Sequence, residues 1–130
     1  MMLAAQIVTG VAALFHVVFF VFESVLWSRP SIYPRFGITS QEHADTTRGM
    51  AYNQGFYNLF LAIGAVIGIV LFAGAGGADL VIAGKAMMMF ATGSMALAGV
   101  VLLTTGRSYL RAAAVQFVPA AAAFLLTLFA

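Results

Sequence analysis

Two ionisable side chains, His16 and Glu23, lie inside an apolar stretch near the start of the chain. They are seven residues apart, and seven residues make about two turns of an α-helix, so both side chains share one helix face. Histidine can gain or lose a proton near neutral pH, and a carboxylate can hold a proton or pair with a cation. Because ionisable groups avoid lipid, this face indicates a polar interior.

Amide and hydroxyl side chains are concentrated where a second apolar stretch begins, at Asn53, Gln54, Tyr57 and Asn58. A spacing of four residues places Asn53 and Tyr57 on one helix face. The same spacing places Gln54 and Asn58 on the adjacent face. Such groups can orient a ligand, or they can join one helix to another by hydrogen bonds.

A last apolar stretch adds Arg111 near its start and Gln116 further in. Arg111 is the cation expected beside Glu23, and the alternative is that it extends to lipid headgroups. We expect one ligand-binding group in one half of the molecule. Its members are His16, Glu23, Asn53, Gln54, Tyr57, Asn58, Arg111 and Gln116.

The elements that position this group are predicted to be membrane-spanning helices. Hydrophobic residues make up 63% of the 130 residues and charged residues 8%, whereas a soluble domain is roughly half apolar and about a quarter charged. Four continuous apolar stretches are near or above the roughly 20 residues that cross a bilayer. The predicted fold is an all-α, membrane-spanning four-helix bundle in a single domain, residues 1–130. The predicted helices cover about residues 3–27, 50–73, 80–105 and 109–129.

The ends and connections of these helices carry local signals. The first stretch lacks a basic start and continues to Trp27, which is longer than the roughly 7–15 apolar residues of a signal peptide, so we expect a retained helix. Residues Thr39 to Asp45 resemble a helix N-terminus and predict a short helical turn before the second span. Gly74 to Asp79 is predicted to be a tight glycine-rich turn.

The basic residues predict an orientation in the membrane. The first connection carries Arg29, Arg35 and Arg48, the third carries Arg107 and Arg111, and Lys85 is near the second. Because the first and third connections lie on the same side, the positive-inside rule makes that side cytoplasmic and places both termini outside. The predicted location is the cytoplasmic (inner) membrane of a bacterium.

Several kinds of site and partner are not expected. Cysteine is absent, which excludes disulfides and thiolate chemistry. The two histidines, His16 and His43, and the wide His16–Glu23 spacing do not fit a metal-ligand motif, so we predict no metal and no cofactor. Six basic residues are too few for nucleic-acid binding.

Small residues in the second and third spans predict close helix packing. Gly64 and Gly68 form a Gly-x-x-x-Gly pattern, and small side chains let helix backbones approach in lipid. The contact is either within one bundle or between copies in a homo-oligomer. The other expected partners are the lipid bilayer and a small-molecule ligand.

A set of short motifs resembles the DUF1304 family of small membrane proteins with four predicted helices, and the resemblance extends over essentially the whole chain. The motifs are His16-x6-Glu23-x3-Trp27, Phe36-Gly37, Asn53-Gln54-Gly55-x-Tyr57-Asn58-x2-Leu61-Ala62, and Val115-Gln116-x2-Pro119-Ala120. The Asn-Gln-Gly-x-Tyr-Asn segment is the most specific of them. The resemblance implies the four-helix architecture and implies that these polar residues belong to the family pattern. It implies no function.

Three functions are compatible with these residues. The first is binding or transport of a small polar or amphipathic ligand, or of a proton, in an intramembrane polar cavity. The second is a membrane-embedded enzyme acting on a lipidic substrate, with Glu23 or His16 as general acid or base and Tyr57 donating to an oxyanion. The third is a structural or partner-binding subunit in which the polar residues only fix helix pairing.

Overall fold

The computed structural model describes residues 1–74 and 76–130, and every regular element in these residues is helical. Each of the four long helices is long and apolar enough to cross a membrane. The predicted all-α fold with four membrane-spanning helices is therefore confirmed, and the chain is a multi-pass membrane protein. The α-helices are α1 (Met2–Phe20), α2 (Gln41–Ala73), α3 (Ala78–Thr105) and α4 (Leu110–Leu128). A π-helical turn, Val21–Val25, continues α1, and 3-10 turns cover Tyr33–Phe36 and Arg107–Tyr109.

The second helix begins earlier than predicted. Ser40 caps it, since its hydroxyl accepts a hydrogen bond from the His43 N–H at 3.2 Å. The expected short turn and the second span are thus one helix of 33 residues, about 50 Å long at about 1.5 Å per residue. This exceeds the roughly 30 Å of a hydrocarbon core, so the first turns of α2 extend beyond it.

The turn expected between the second and third spans is described in part. Gly77 has a φ of 91°, a backbone conformation that favours glycine because it lacks a Cβ atom. The part of that prediction that falls on Ala75 lies outside the described residues.

The helices form a ring in chain order, and α4 closes back on α1. Buried positions are mostly small: the central cluster contains Ala12, Ala62, Ala91 and Ala120. Many large apolar side chains point outward instead, and Phe90 is one of them. This arrangement fits a lipid environment, where bulky apolar groups face hydrocarbon and small residues allow helices to approach.

A close helix contact joins α2 and α3 near the end of the bundle that holds the chain termini. A Cβ atom added at Gly84 would fall on the backbone N of Phe72, and one at Gly68 would lie 2.8 Å from the backbone N of Met88. The small-residue face of the third span therefore contacts a neighbouring helix of the same chain.

At the opposite end, the first connection is anchored to the start of α2. The Trp27 indole N–H donates a hydrogen bond to the Ala44 carbonyl at 2.8 Å. Trp27 also packs with Tyr33 and Ala51 in a small buried cluster. This anchor fixes the connection that follows α1 and holds it beside the polar segment of α2.

Candidate functional site

The π-helical turn at the end of α1 carries Glu23. In this turn the Leu26 N–H donates to the Val21 carbonyl, five residues earlier, at 2.9 Å. Gly55 of α2 packs against the turn: a Cβ atom added there would collide with the Ser24 hydroxyl and lie 3.1 Å from the Glu23 Cβ atom. Glycine at this position therefore lets α2 approach the turn closely.

This close approach brings Glu23 into contact with Asn58. The Asn58 amide donates from Nδ2 to Oε2 of Glu23 at 2.6 Å, and the two side chains are only 6% and 8% exposed. Hydrogen bonds to a carboxyl group in a buried setting are among the stronger polar contacts in proteins. Asn58 is the one hydrogen-bond partner that the described residues give to the Glu23 side chain. The remaining acceptor capacity of the carboxyl group is free for a group in the adjacent space.

That adjacent space is a cavity of about 580 Å³ between the helix ends on the side of the first and third connections. We call it the loop-side cavity. Its polar lining residues are Glu23, Arg35, Gln54, Asn58, Thr105, Tyr109 and Gln116. Its apolar lining residues are Phe19, Phe36, Ala98, Val101, Leu102 and Ala112. The lining is therefore amphipathic.

Four of the eight predicted site residues line this cavity: Glu23, Gln54, Asn58 and Gln116. Gln54 and Asn58 do so together because they are four residues apart on α2. Asn53 and Tyr57, which we expected in the same group, are exposed on another face, and Tyr57 is 56% exposed. Successive helical residues are rotated by about 100°. When the face with Gln54 and Asn58 meets Glu23, Asn53 and Tyr57 therefore point outward.

The cation at the cavity is Arg35 rather than Arg111. Arg111 is exposed on α4 and does not line the cavity, whereas Arg35 of the first connection does. Arg35 is held by a hydrogen bond from its Nε to the Ser31 carbonyl at 3.1 Å, with its guanidinium 5.6 Å from the centre of the Phe22 ring. Pro34 before Arg35 and Gly37 after it break helix and turn the chain, but this local pattern does not specify where the Arg35 side chain points.

His16 is buried deeper than the cavity and does not line it. The side chain is 1% exposed, and its Nδ1 lies 2.9 Å from the Ala12 carbonyl. Its Nε2 and the Thr9 hydroxyl, one heptad earlier, have no hydrogen-bond partner within the described residues. In residues 1–74 and 76–130, no three His, Asp or Glu side chains lie close enough together to hold a metal ion.

Comparison with known proteins gives a family match. Residues 10–128 match DUF1304, a family described as protein of unknown function. No curated protein and no solved structure matches the chain. The match extends from the middle of α1 to the end of α4, so it includes every residue that lines the loop-side cavity. The chain belongs to the DUF1304 family.

Proposed function

We propose that the protein binds a small amphipathic ligand in the loop-side cavity, with Glu23 as the group that pairs with it or exchanges a proton. The observation that carries this proposal is the cavity of about 580 Å³ lined by the hydrogen-bonded Glu23 and Asn58. Ligand pockets in proteins are roughly 300–1,000 Å³ and combine an apolar lining with a few directed polar groups. The cavity has both properties.

The two sides of the lining suit the two ends of such a ligand. Val101 and Leu102 offer an apolar wall, which would hold the hydrophobic part. Gln54 and Gln116 offer amide donors and acceptors from α2 and α4, and these would orient a polar head near Glu23. A polar group that leaves water for this space would therefore find hydrogen-bond partners, which offsets its desolvation.

The cavity would open to the cytoplasm of a bacterium, with both chain termini on the outer face of the inner membrane. This orientation rests on the five arginines of the first and third connections and the early part of α2 and α4, against one lysine, Lys85, near the other side. A ligand would thus enter from the cytoplasm or from the cytoplasmic leaflet. Transport across the membrane would require a further opening on the opposite side.

The other two functions have less support. The enzyme hypothesis used Tyr57 as a donor to an oxyanion, and Tyr57 faces away from the cavity. The purely structural hypothesis expected Glu23, Asn53, Gln54 and Arg111 to satisfy one another without a void. Within the described residues, Glu23 instead accepts a hydrogen bond from Asn58, and a cavity lies beside the pair.

Ligand retention tests the proposal. The protein is extracted in a mild detergent, and native mass spectrometry records any bound small molecule. Ala112→Trp fills the cavity from α4, and Ala114→Trp is the matched control because Ala114 is exposed at nearly the same depth and does not line the cavity. We expect an adduct in the wild type and in Ala114→Trp and its loss in Ala112→Trp. Equal retention in both variants, or none in the wild type, would contradict ligand binding in this cavity.

Access to the cavity from water can be measured separately. The chain has no cysteine, so single cysteines can be introduced at Ala112 and Ala114 and labelled with a charged methanethiosulfonate in lipid nanodiscs. Ala112→Cys is expected to react at least about tenfold faster than Ala114→Cys, because a thiol reacts as a thiolate and needs water. Similar slow rates at both positions would mean that the cavity is closed to the aqueous phase.

A further inference from the structure

A second, smaller cavity of about 180 Å³ lies between the end of α1, the first connection and the start of α2. We call it the basic pocket. Its walls include the guanidinium-bearing residues Arg29 and Arg48, and the hydroxyl-bearing residues Ser28 and Tyr52. The proposed ligand site in the loop-side cavity does not use any of these four residues.

The backbone that carries the two arginines is anchored. Arg48 lies on α2 one turn before Tyr52, so the two share a helix face. The Ser24 hydroxyl donates to the Tyr52 carbonyl at 2.8 Å, which ties this part of α2 to the end of α1. Arg29 lies in the turn that follows, where its carbonyl accepts from the Ile32 N–H at 2.8 Å. Both arginines therefore face one small space from fixed segments.

Basic residues outnumber acidic ones in the wall of the pocket, with Arg29 and Arg48 against Glu23. Glu23 is the acidic residue in its wall, and the Asn58 amide already binds that carboxyl group at 2.6 Å. Arg35 hydrogen-bonds to Ser31, whereas neither Arg29 nor Arg48 makes a side-chain hydrogen bond to another of the described residues. Two guanidinium groups without protein partners, next to hydroxyl donors, are suited to an oxyanion, because arginine binds phosphate through paired N–H donors.

We propose that the basic pocket binds a phosphate group. Trp27 and Tyr52 also line it, and such aromatic side chains collect at the headgroup level of a bilayer, where lipid phosphates lie. The same chemistry would accept inorganic phosphate from the aqueous phase. The pocket is therefore assigned to the phosphate group itself, and the experiment separates its two sources.

Trp27 provides the readout, since it is the single tryptophan of the chain and lines the pocket. The full-length protein is held in a phosphate-free sugar detergent, and its fluorescence is titrated with inorganic phosphate and, separately, with dihexanoyl phosphatidylglycerol. Sodium chloride at equal ionic strength corrects for screening. We expect a saturable change in Trp27 emission that chloride does not produce.

Arginine variants test where the phosphate binds. Arg29→Gln and Arg48→Gln are each expected to weaken the apparent affinity about tenfold or more, because each removes a charged hydrogen-bond donor. Arg107→Gln removes the same charge from the exposed third connection, away from both cavities, and should leave the affinity unchanged. If one arginine variant fails to fold, as judged by its helical circular dichroism, the other is measured in its place.

The outcomes are distinct. Saturation by inorganic phosphate at concentrations similar to those of the lipid identifies free phosphate as the ligand, and saturation by the lipid alone identifies a headgroup. No saturable change with either probe, or the same affinity in the Arg48→Gln and Arg107→Gln variants, would overturn the proposal. Ligand retention in the loop-side cavity does not depend on any of these results, so the two proposals can fail separately.

Discussion

The two ends of the helix bundle are packed in different ways. At the end that holds the chain termini, Ala5, Phe72 and Met88 form a closed cluster, and Gly84 meets the backbone of α2 directly. At the end that holds the first and third connections, the same helices leave about 580 Å³ unfilled. Small residues allow close contact at one end, and at the other end Ala98 and Ala112 border open space.

This difference separates a closely packed, stabilising end from an open end. Close packing gains dispersion energy from many atom contacts, and an unfilled space forgoes that energy. The closed end therefore holds the helices together, while the open end leaves the space in which we propose that a ligand binds. Three sets of substitutions test this comparison.

The largest effect is expected at the closed end. Gly84→Ala would place a methyl group on the backbone of α2 at Phe72, and backbone cannot move aside as a flexible side chain can. We expect a loss of at least about 2 kcal/mol of unfolding free energy, since overpacking typically costs about 1–3 kcal/mol. The measurement is loss of helical circular dichroism during titration with sodium dodecyl sulfate.

Gly64→Ala is the matched control for this change. Gly64 lies in the helix that faces Gly84, and nothing lies within 4 Å of an added Cβ atom there. Alanine should leave stability unchanged or raise it by up to about 1 kcal/mol, the difference in helix propensity. If Gly84→Ala were as stable as Gly64→Ala, the closed end would not be the stabilising end.

An intermediate effect is expected at the open end. Asn58→Ala removes the hydrogen bond to Glu23 and leaves a buried carboxyl group without its partner, which costs about 1–3 kcal/mol. The same titration should show this loss. In a Glu23→Leu background, Asn58→Ala should cost less, because the carboxyl group is no longer there to be left unpaired.

Asn53→Ala is the control for Asn58→Ala. Asn53 is an exposed amide on the same helix and does not line the cavity. Its removal should change the unfolding free energy by less than about 0.5 kcal/mol, as is usual for surface positions. Equal losses for the two alanine variants would mean that the Glu23–Asn58 contact adds nothing to stability.

The smallest effect is expected between the two ends, at the buried threonines. The Thr9 hydroxyl has no hydrogen-bond partner within the described residues, so Thr9→Val removes an unpaired polar group and should stabilise the protein by up to about 1 kcal/mol. Thr92 donates to the Met88 carbonyl at 2.7 Å, so Thr92→Val should be neutral or slightly destabilising. Thermal unfolding of both variants in one detergent provides the comparison, and a larger loss for Thr9→Val would reveal a bound partner at that hydroxyl.

Much of the fold follows from the apolar stretches. In lipid the backbone N–H and C=O groups must hydrogen-bond within the protein, and a long apolar segment satisfies them by forming a helix. That Glu23 and the polar segment of α2 lie near the same end also follows, because the two antiparallel helices are joined at that end. The depths along the helices predicted Asn53 and Gln54 as the neighbours of Glu23, whereas the structure pairs Glu23 with Asn58. That Gln54 rather than Asn53 lines the loop-side cavity could not be predicted. It depends on the rotation of α2, which Gly55 sets by its contact with the π-helical turn.

Arg111, the cation predicted beside Glu23, does not line the cavity, and Arg35 does. Depth along a helix favoured Arg111, but depth does not specify which way a side chain points. Arg35 reaches the cavity through a 3-10 turn that ends at Gly37 with a φ of 77°. The path of such a connection depends on contacts distant in the chain, here the docking of Trp27 on Ala44, and no local pattern encodes them.

The π-helical turn, Val21–Val25, allows one particular change in chain length at this site. Such a turn is an α-helix that has accommodated one extra residue. Deleting one residue between Val21 and Val25 would restore a regular α-helix, and the residues that follow would keep nearly the same rotation about the helix axis, because five residues of a π-helix turn about as far as four of an α-helix. Trp27 could then keep its hydrogen bond to Ala44, whereas an insertion or deletion elsewhere in α1 would rotate it away by about 100°. Between His16 and Trp27, sequence alignments of this family should therefore place any one-residue gap within the turn.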